Sequence, residues 1–217
     1  MNAIALLKAD HRTVEDLFEK LGRLAGKSRG KKLLVEKLIR ELSVHAAIEE
    51  VVFYPEVRRS VPDTSEQVLE SLEEHSVIKW ELLALESMDA TDERFDAKIK
   101  VLRDTVMHHV EEEEGELFPK VRDALSVTQL NELGTALERA KKTAPTRPHP
   151  RAPDEPPANF IANMGASVLD RARDAGRALM RSRTQKARRA QSGGKRAAAP
   201  SKSSGRATSR RAPASRS

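Results

Sequence analysis

The 217-residue sequence has no cysteine, few aromatic residues and no long apolar run. The absence of cysteine excludes disulfides, thiolate metal ligands and cysteine nucleophiles, so any metal site needs histidine and carboxylate ligands. Aromatic residues make up 3% of the chain, which argues against a β-sandwich or barrel with an aromatic core. The sequence shows neither a signal peptide nor about 18 consecutive apolar residues, so we expect a soluble cytoplasmic protein.

Charge divides the chain into two parts of opposite sign. Residues 1–140 hold 20 lysines and arginines against 29 acidic residues, whereas residues 141–217 hold 19 against 4. A proline-rich stretch, TAPTRPHPRAPDEPP, lies at the change of sign. The composition predicts four segments: a helical domain at 1–142, a linker at 143–158, a basic amphipathic helix at 159–190 and a disordered basic tail at 191–217.

Apolar residues recur every three or four positions in five segments of the first part. These stripes predict four long helices followed by a shorter fifth helix, which begins with the capping-box pattern SVTQ. We expect Phe18 and Trp80 in the core. Long helices with short connections are typical of an up-down antiparallel four-helix bundle, in which facing helices can hold a metal. The sequence therefore predicts an all-α fold.

Polar side chains inside the apolar stripes repeat at one fixed interval. A spacing of 64 residues relates the members of four pairs: His11 and His75, His45 and His109, Glu49 and Glu113, Pro55 and Pro119. The repeat indicates that the first two helices are duplicated in the third and fourth. A histidine and a glutamate at positions i and i+4 share one helical face, so both can reach one metal ion. A single buried histidine is usually a hydrogen-bonded core residue, but unpaired buried carboxylates are costly, and a pair of metal cations would balance them.

The repeated motifs resemble those of hemerythrin-type domains, the HHE cation-binding family. The matching residues are DH at 10–11, HAAIEE at 45–50, EH at 74–75 and HVEEEE at 109–114. The resemblance implies a four-helix bundle that holds a non-haem di-iron centre. By position, it implies four terminal histidine ligands and two bridging glutamates: His11, His45, His75, His109, Glu49 and Glu113. The repeat suggests that the first two histidines serve one iron and the last two the other.

The resemblance also implies a function in binding or reacting with oxygen, nitric oxide or peroxide, in iron or oxidative-stress response. Oxygen-carrying hemerythrins have a further histidine where this chain has Lys79, which favours reactive chemistry or sensing over reversible oxygen carriage. Open coordination positions on two adjacent irons lead to the hypothesis of catalase-like peroxide consumption. A structural site with zinc, or with no metal, is also compatible with histidine and glutamate residues.

Residues beside the candidate ligands have supporting interpretations. Glu50 and Glu114 repeat each other, and we interpret them either as hydrogen-bond partners of the ligands or as solvated side chains. Tyr54 and Phe118 are also equivalent, which favours packing over tyrosyl chemistry. His108 lies one residue off the apolar stripe, so we expect it behind the ligands or on the surface.

The basic tail has more than one interpretation. Phe160, Met164, Val168 and Ala172 follow helical spacing among arginines, and such a helix can lie on an anionic membrane, dock on a helix or contact nucleic acid. The last segment has no aromatic residue to stack on bases, so it either neutralises phosphates non-specifically or binds nothing. An alternative function is therefore a metal-dependent sensor whose tail contacts nucleic acid or a partner.

Overall fold

Helices make up most of the described chain, and π-helical turns interrupt two of the long ones. The computed structural model describes residues 1–24, 29–153, 159, 162–163, 165–175 and 177. The α-helices, in chain order, are α1 Ala3–Arg23, α2 Arg29–Ile48, α3 Tyr54–Ser60, α4 Ser65–Ser87, α5 Phe95–Glu112, α6 Phe118–Ala124 and α7 Val127–Lys141. The π-helical turns are Glu49–Phe53, between α2 and α3, and Glu113–Leu117, between α5 and α6.

The predicted all-α bundle is confirmed. Helix α1 packs against α2, α4 packs against α5, and α2 also contacts α4, which closes the bundle. Two apolar clusters fill its interior, one containing Leu7 and Phe53 and the other containing Val14 and Phe95. Each fully buried side chain of this size contributes about 1.5–3 kcal/mol. The candidate ligand His11 lies between Leu7 and Val14 in sequence, so the polar centre is enclosed by apolar packing along the bundle.

The predicted fifth helix is α7, and it closes one end of the bundle. Ser126 caps α7 as the sequence predicts, because its hydroxyl accepts a hydrogen bond from the Gln129 N–H while the Gln129 side chain accepts from the Ser126 N–H. Helix α7 then packs on α1, α2 and the first π-helical turn. Gly134 permits this approach, since a Cβ there would lie 2.2 Å from the Met1 carbonyl oxygen.

Each π-helical turn begins at a candidate glutamate ligand and ends just before a proline. The Tyr54 N–H bonds to the Glu49 carbonyl five residues back, and the Phe118 N–H bonds in the same way to Glu113. Pro55 lacks an N–H, so the regular helical ladder cannot run through it. The backbone makes one wide turn ahead of each proline and continues as α3 and α6.

The prediction for Phe18 is confirmed, and that for Trp80 is wrong. Phe18 is buried, whereas 45% of the Trp80 surface is exposed. Trp80 lies between Ile78 and Leu82, which face the core, so its own side chain points outward. The Arg151 guanidinium lies 5.9 Å from the centre of its ring.

Two compact units divide the chain, at Met1–Asp174 and Ala175–Ser217. In the first unit, residues 165–174 are helical, and the buried Asp170 carboxylate accepts hydrogen bonds from the N–H groups of Thr146 and Arg147. Val168 is exposed, so the side buried here is polar rather than the predicted apolar stripe. In the second unit, the structure describes residues 175 and 177.

The predicted domain boundaries stay predictions. Most of the predicted basic helix at 159–190 and the whole predicted tail at 191–217 lie outside the described residues. Among the helices that are described, none combines the length and the apolar character that a bilayer crossing requires.

Candidate metal centre

Four buried histidines meet in the middle of the bundle as two pairs. The Nε2 atoms of His11 on α1 and His45 on α2 lie 3.2 Å apart, and those of His75 on α4 and His109 on α5 lie at the same distance. All four side chains are buried. The structure therefore brings together the two pairs that the 64-residue repeat predicted.

Glu49 and Glu113 each contact two histidines, one from each pair. Glu49 Oε2 lies 3.1 Å from His45 Nε2 and 3.4 Å from His75 Nε2. Glu113 Oε2 lies 3.3 Å from His11 Nε2 and 3.6 Å from His109 Nε2. A carboxylate in this position can connect two metal ions, one at each histidine pair.

The carboxylate oxygens of Glu49 and Glu113 are buried at the centre and face each other. Across the part of the chain that the structure describes, no hydrogen-bond donor satisfies either oxygen of Glu49 or the Oε2 atom of Glu113. Both glutamates are fully buried, and unpaired buried carboxylates are costly. Two groups offer converging ligand atoms within 4.8 Å of one another, namely His11, His45, Glu49 and Glu113, and Glu49, His75 and His109. These residues fit a pair of metal ions, and their nitrogen and oxygen atoms suit iron or another first-row divalent metal.

The pKa values of the two central glutamates shift in opposite directions. Burial raises the pKa of Glu49 well above its usual value, and the neighbouring Glu113 raises it further. Burial also acts to raise the pKa of Glu113, but His109 and His11 lower it to about 2. Without a cation, Glu49 is therefore the carboxyl of the pair that keeps its proton more readily, because two adjacent carboxylates do not both ionise readily.

Burial keeps two of the histidines neutral. It lowers the pKa of His45 to about 4, and it also lowers the pKa of His75. At His109 burial acts in the same direction, but Glu113 and Glu74 raise the pKa of that ring above its usual value. A neutral imidazole has one lone pair available to a metal.

Three of the four histidines have a carboxylate within hydrogen-bond distance of the outer nitrogen, and His45 has one slightly farther away. The distances from Nδ1 are 2.9 Å for His11 to Glu114, 3.7 Å for His45 to Asp10, 3.0 Å for His75 to Glu50 and 2.7 Å for His109 to Glu74. An ionised carboxylate only accepts, so it favours the proton on Nδ1 and leaves the lone pair of Nε2 directed at the centre. Of the two interpretations of Glu50 and Glu114, hydrogen bonding to the ligands is the one observed.

Lysines hold three of these outer carboxylates. Lys8 contacts Glu114 at 2.7 Å, Lys79 contacts Glu50 at 2.6 Å, and Lys141 contacts Asp10 at 2.5 Å. Burial acts to raise the pKa of Glu50, but the hydrogen bonds from His75 and Lys79 bring it below its usual value. Lys79 thus contacts the carboxylate that lies at the outer nitrogen of His75. Oxygen-carrying hemerythrins have a histidine at the position of Lys79.

Tyr54 has a polar role that its equivalence with Phe118 does not reveal. Its buried hydroxyl donates a hydrogen bond to Glu113 Oε1 at 3.0 Å and lies 3.4 Å from His75 Nε2. Burial and the nearby carboxylates raise the pKa of Tyr54 well above its usual value, so the hydroxyl remains a donor. Phe118 instead stacks on the His11 ring, with centroids 5.8 Å apart. The interpretation of Tyr54 as a packing residue alone is therefore incomplete. The sequence does contain a signal for the polar role, because Tyr54 has a hydroxyl that the equivalent Phe118 lacks.

A small cavity of about 10 Å³ adjoins the four histidines. Its apolar wall includes Val14, Leu42, Ile78 and Val106, and the 64-residue repeat relates Val14 to Ile78 and Leu42 to Val106. The cavity is close to the smallest size that admits one water molecule. The centre therefore adjoins a space that favours a very small ligand.

The remaining histidines lie outside the centre. His149 contacts Asp170 at 3.1 Å. His108 lies on the surface, which is one of the two positions predicted for it, and 62% of its side chain is exposed. Its Nε2 atom is 3.2 Å from Glu112 Oε1. Neither histidine contributes to the two central ligand groups.

Comparisons with known proteins point to one family of domains. The chain matches the hemerythrin HHE cation binding domain over residues 2–121. Curated relatives include an uncharacterized hemerythrin-like protein of Schizosaccharomyces pombe, which is 31% identical over 135 residues, covering 62% of this chain and 66% of the relative. A DNA nickase of Nostoc sp. is 30% identical over 141 residues, covering 65% of this chain and 39% of the nickase. The aligned parts thus span less than two thirds of either relative.

A solved structure supports the fold. The crystal structure of a hemerythrin HHE cation binding domain-containing protein from Mycobacterium kansasii aligns with a TM-score of 0.58 at 21% sequence identity. The alignment covers 65% of this chain and 86% of that chain. At this level of identity, the likeness concerns the helical arrangement.

Proposed function

This chain belongs to the hemerythrin HHE cation-binding family, and we propose that its bundle holds two iron ions that bind or react with oxygen, nitric oxide or peroxide. The proposed ligands are His11 and His45 for one iron, His75 and His109 for the other, and Glu49 and Glu113 as bridges. The observation that carries this proposal is the position of the glutamates, each within 3.6 Å of a histidine from both pairs.

Iron bound at this centre supplies electron exchange with the small ligand, and the protein supplies its surroundings. The apolar wall that includes Val14 and Ile78 excludes bulk water and larger substrates. The Tyr54 hydroxyl holds a proton beside Glu113 and His75. The outer carboxylates and their lysines orient the histidine rings and fix which nitrogen faces the centre.

Peroxide consumption is the most specific form of this proposal. Two molecules of hydrogen peroxide give one oxygen molecule and two waters, so one peroxide is oxidised and the other is reduced. The small cavity beside the histidines disfavours any substrate much larger than peroxide. Lys79 supports the preference for reaction over reversible carriage, because its ammonium is committed to Glu50. Such an activity would serve iron or oxidative-stress response in the cytoplasm.

Metal analysis and peroxide decay test the proposal together. We expect purified full-length protein loaded with iron to contain two irons per chain, to show an oxo-bridge absorption and to release oxygen from hydrogen peroxide. His45→Ala removes a proposed ligand, while His149→Ala removes a histidine outside the centre. Oxygen release should be lost in the first variant and retained in the second. Two irons without oxygen release above the His45→Ala background would eliminate peroxide consumption but leave small-ligand binding.

A second candidate function is contact with DNA through the basic end of the chain. Residues 175–217 hold 13 lysines and arginines and no acidic residue. The Nostoc relative is a DNA nickase, although the aligned region covers 39% of it. Phosphate neutralisation by such a segment gives salt-sensitive binding without sequence preference. A chain truncated after Asp174 should lose salt-sensitive DNA retention in a gel-shift comparison, and equal retention by both proteins would contradict this function.

A further inference from the structure

A second group of metal-ligating side chains lies on the surface beside one histidine pair. Glu74 on α4 and His108 and Glu112 on α5 offer ligand atoms that all lie within 4.8 Å of one another. His108 Nε2 is 3.2 Å from Glu112 Oε1 and 3.9 Å from Glu74 Oε1. Two ligands bound at right angles about 2.1 Å from a metal ion lie about 3 Å apart, so small side-chain adjustments would close this group around one ion.

Glu74 connects the surface group to the buried centre. Its Oε1 atom faces His108, while its Oε2 atom accepts the hydrogen bond from His109 Nδ1 at 2.7 Å. The side chains are 62% exposed at His108, 34% at Glu112 and 17% at Glu74, whereas His109 is buried. The exposed fraction thus decreases from His108 through Glu74 to the proposed iron ligand.

The charge around Glu74 differs from that around its equivalents. A lysine holds each of the other three outer carboxylates, but no lysine or arginine of the described residues forms an ion pair with Glu74. In the other half of the duplication, Asp10 stands for Glu74, and its carboxylate is held by Lys141. The residues that correspond there to His108 and Glu112 are Val44 and Ile48, which have no ligand atoms. The group is therefore specific to one half of the bundle.

We propose that Glu74, His108 and Glu112 form a surface site that captures a divalent transition-metal ion and delivers it toward His109. Delivery rests on the proposed iron centre, whereas capture does not. Three ligands leave positions for water, and a divalent ion supplies the positive charge that lysines supply at the other outer carboxylates. Incomplete protein coordination suits a site that ions must leave.

Manganese binding tests capture. Full-length iron-loaded protein is titrated with Mn²⁺, and free Mn²⁺ is measured by its electron paramagnetic resonance signal. The variant carries His108→Ala and Glu112→Gln together, and Glu111→Gln serves as the matched control, because it removes an exposed charge from the same helix outside the group. We expect wild type and control to bind one more Mn²⁺ per chain than the double variant. Equal binding by all three proteins would overturn the proposal.

The rate of iron uptake tests delivery. With metal-free protein and limiting Fe²⁺ under anaerobic conditions, we expect the double variant to load about tenfold more slowly than the Glu111→Gln control, while reaching the same final iron content. Equal rates would overturn delivery. Failure of the buried centre is distinguishable, since it would lower the final iron content of wild type and control while leaving the difference in Mn²⁺ binding. Circular dichroism of the double variant verifies that its helices are intact.

Discussion

The two halves of the duplicated bundle agree at the candidate ligands and differ in what surrounds them. The histidine pairs have the same Nε2 separation of 3.2 Å in both halves. Beside the second pair lies the Tyr54 hydroxyl, whereas the equivalent Phe118 presents only a ring to His11. The duplication thus retains the positions of the ligands, while the surrounding residues make the two halves chemically different.

Removing a shared carboxylate should have the largest effect, because it affects both halves at once. Glu49 contacts one histidine of each pair, so Glu49→Ala should leave less than one iron per chain. His11→Ala removes a group from one half only and should retain about one iron. Iron content after dialysis measures the difference. Equal iron loss in the two variants would show that Glu49 is not shared.

Tyr54→Phe makes the surroundings of the His75–His109 pair resemble those of the His11–His45 pair. The change removes the hydroxyl donor to the buried Glu113 carboxylate, so metal-free protein should lose about 1–3 kcal/mol of unfolding free energy. Urea unfolding of metal-free protein measures this loss. The same substitution on a Glu113→Leu background isolates the hydrogen bond, because leucine has no acceptor, and an unchanged cost there would attribute the loss to packing instead.

The outer lysines provide a finer comparison of the halves. Lys79 contacts the outer carboxylate of His75, in the second pair, and 13% of its side chain is exposed. Lys141 contacts the outer carboxylate of His45, in the first pair, and 31% of its side chain is exposed. Lys79→Met should weaken iron retention about tenfold, and Lys141→Met should weaken it less, because more exposed ion pairs contribute less. Competition with a chelator measures retention. A larger effect at Lys141 would contradict the dependence on burial.

Proton release should give the smallest signal and a defined pH dependence. Burial and Glu113 raise the pKa of Glu49 well above its usual value, so metal-free protein keeps Glu49 protonated to a higher pH than an exposed glutamate. A bound divalent cation displaces that proton, so affinity should rise with pH while Glu49 is still protonated in metal-free protein. Calorimetry in buffers of different ionisation enthalpy counts released protons. Glu49→Gln should release fewer protons than wild type, and an unchanged count would contradict this assignment.

The sequence predicted the helices and the grouping of the candidate ligands because both follow from periodicity. A histidine on an apolar stripe must face the core, and the 64-residue repeat relates one half to the other. The partners of the outer carboxylates could not be predicted in this way. Lys141 reaches Asp10 from 131 residues away, and no local pattern records such a contact.

The π-helical turns and Trp80 show two further reasons why some features could not be predicted from apolar spacing or residue type. A π-helical turn is a change of hydrogen-bond partner, which apolar spacing does not encode. Trp80 was assigned to the core from its residue type, but its equivalent in the other half is Asp16, whose side chain is 70% exposed. Reading the repeat for burial as well as for ligands would have placed Trp80 on the surface.

The matching π-helical turns extend the duplication from the side chains to the backbone. A π-helical turn places one extra residue in an α-helix, and here it begins at Glu49 in one half and at Glu113 in the other. Two separate insertions at the same point are less economical than one insertion that was later copied. The extra residue is therefore part of the repeated unit, together with the histidine and the glutamate that it accompanies.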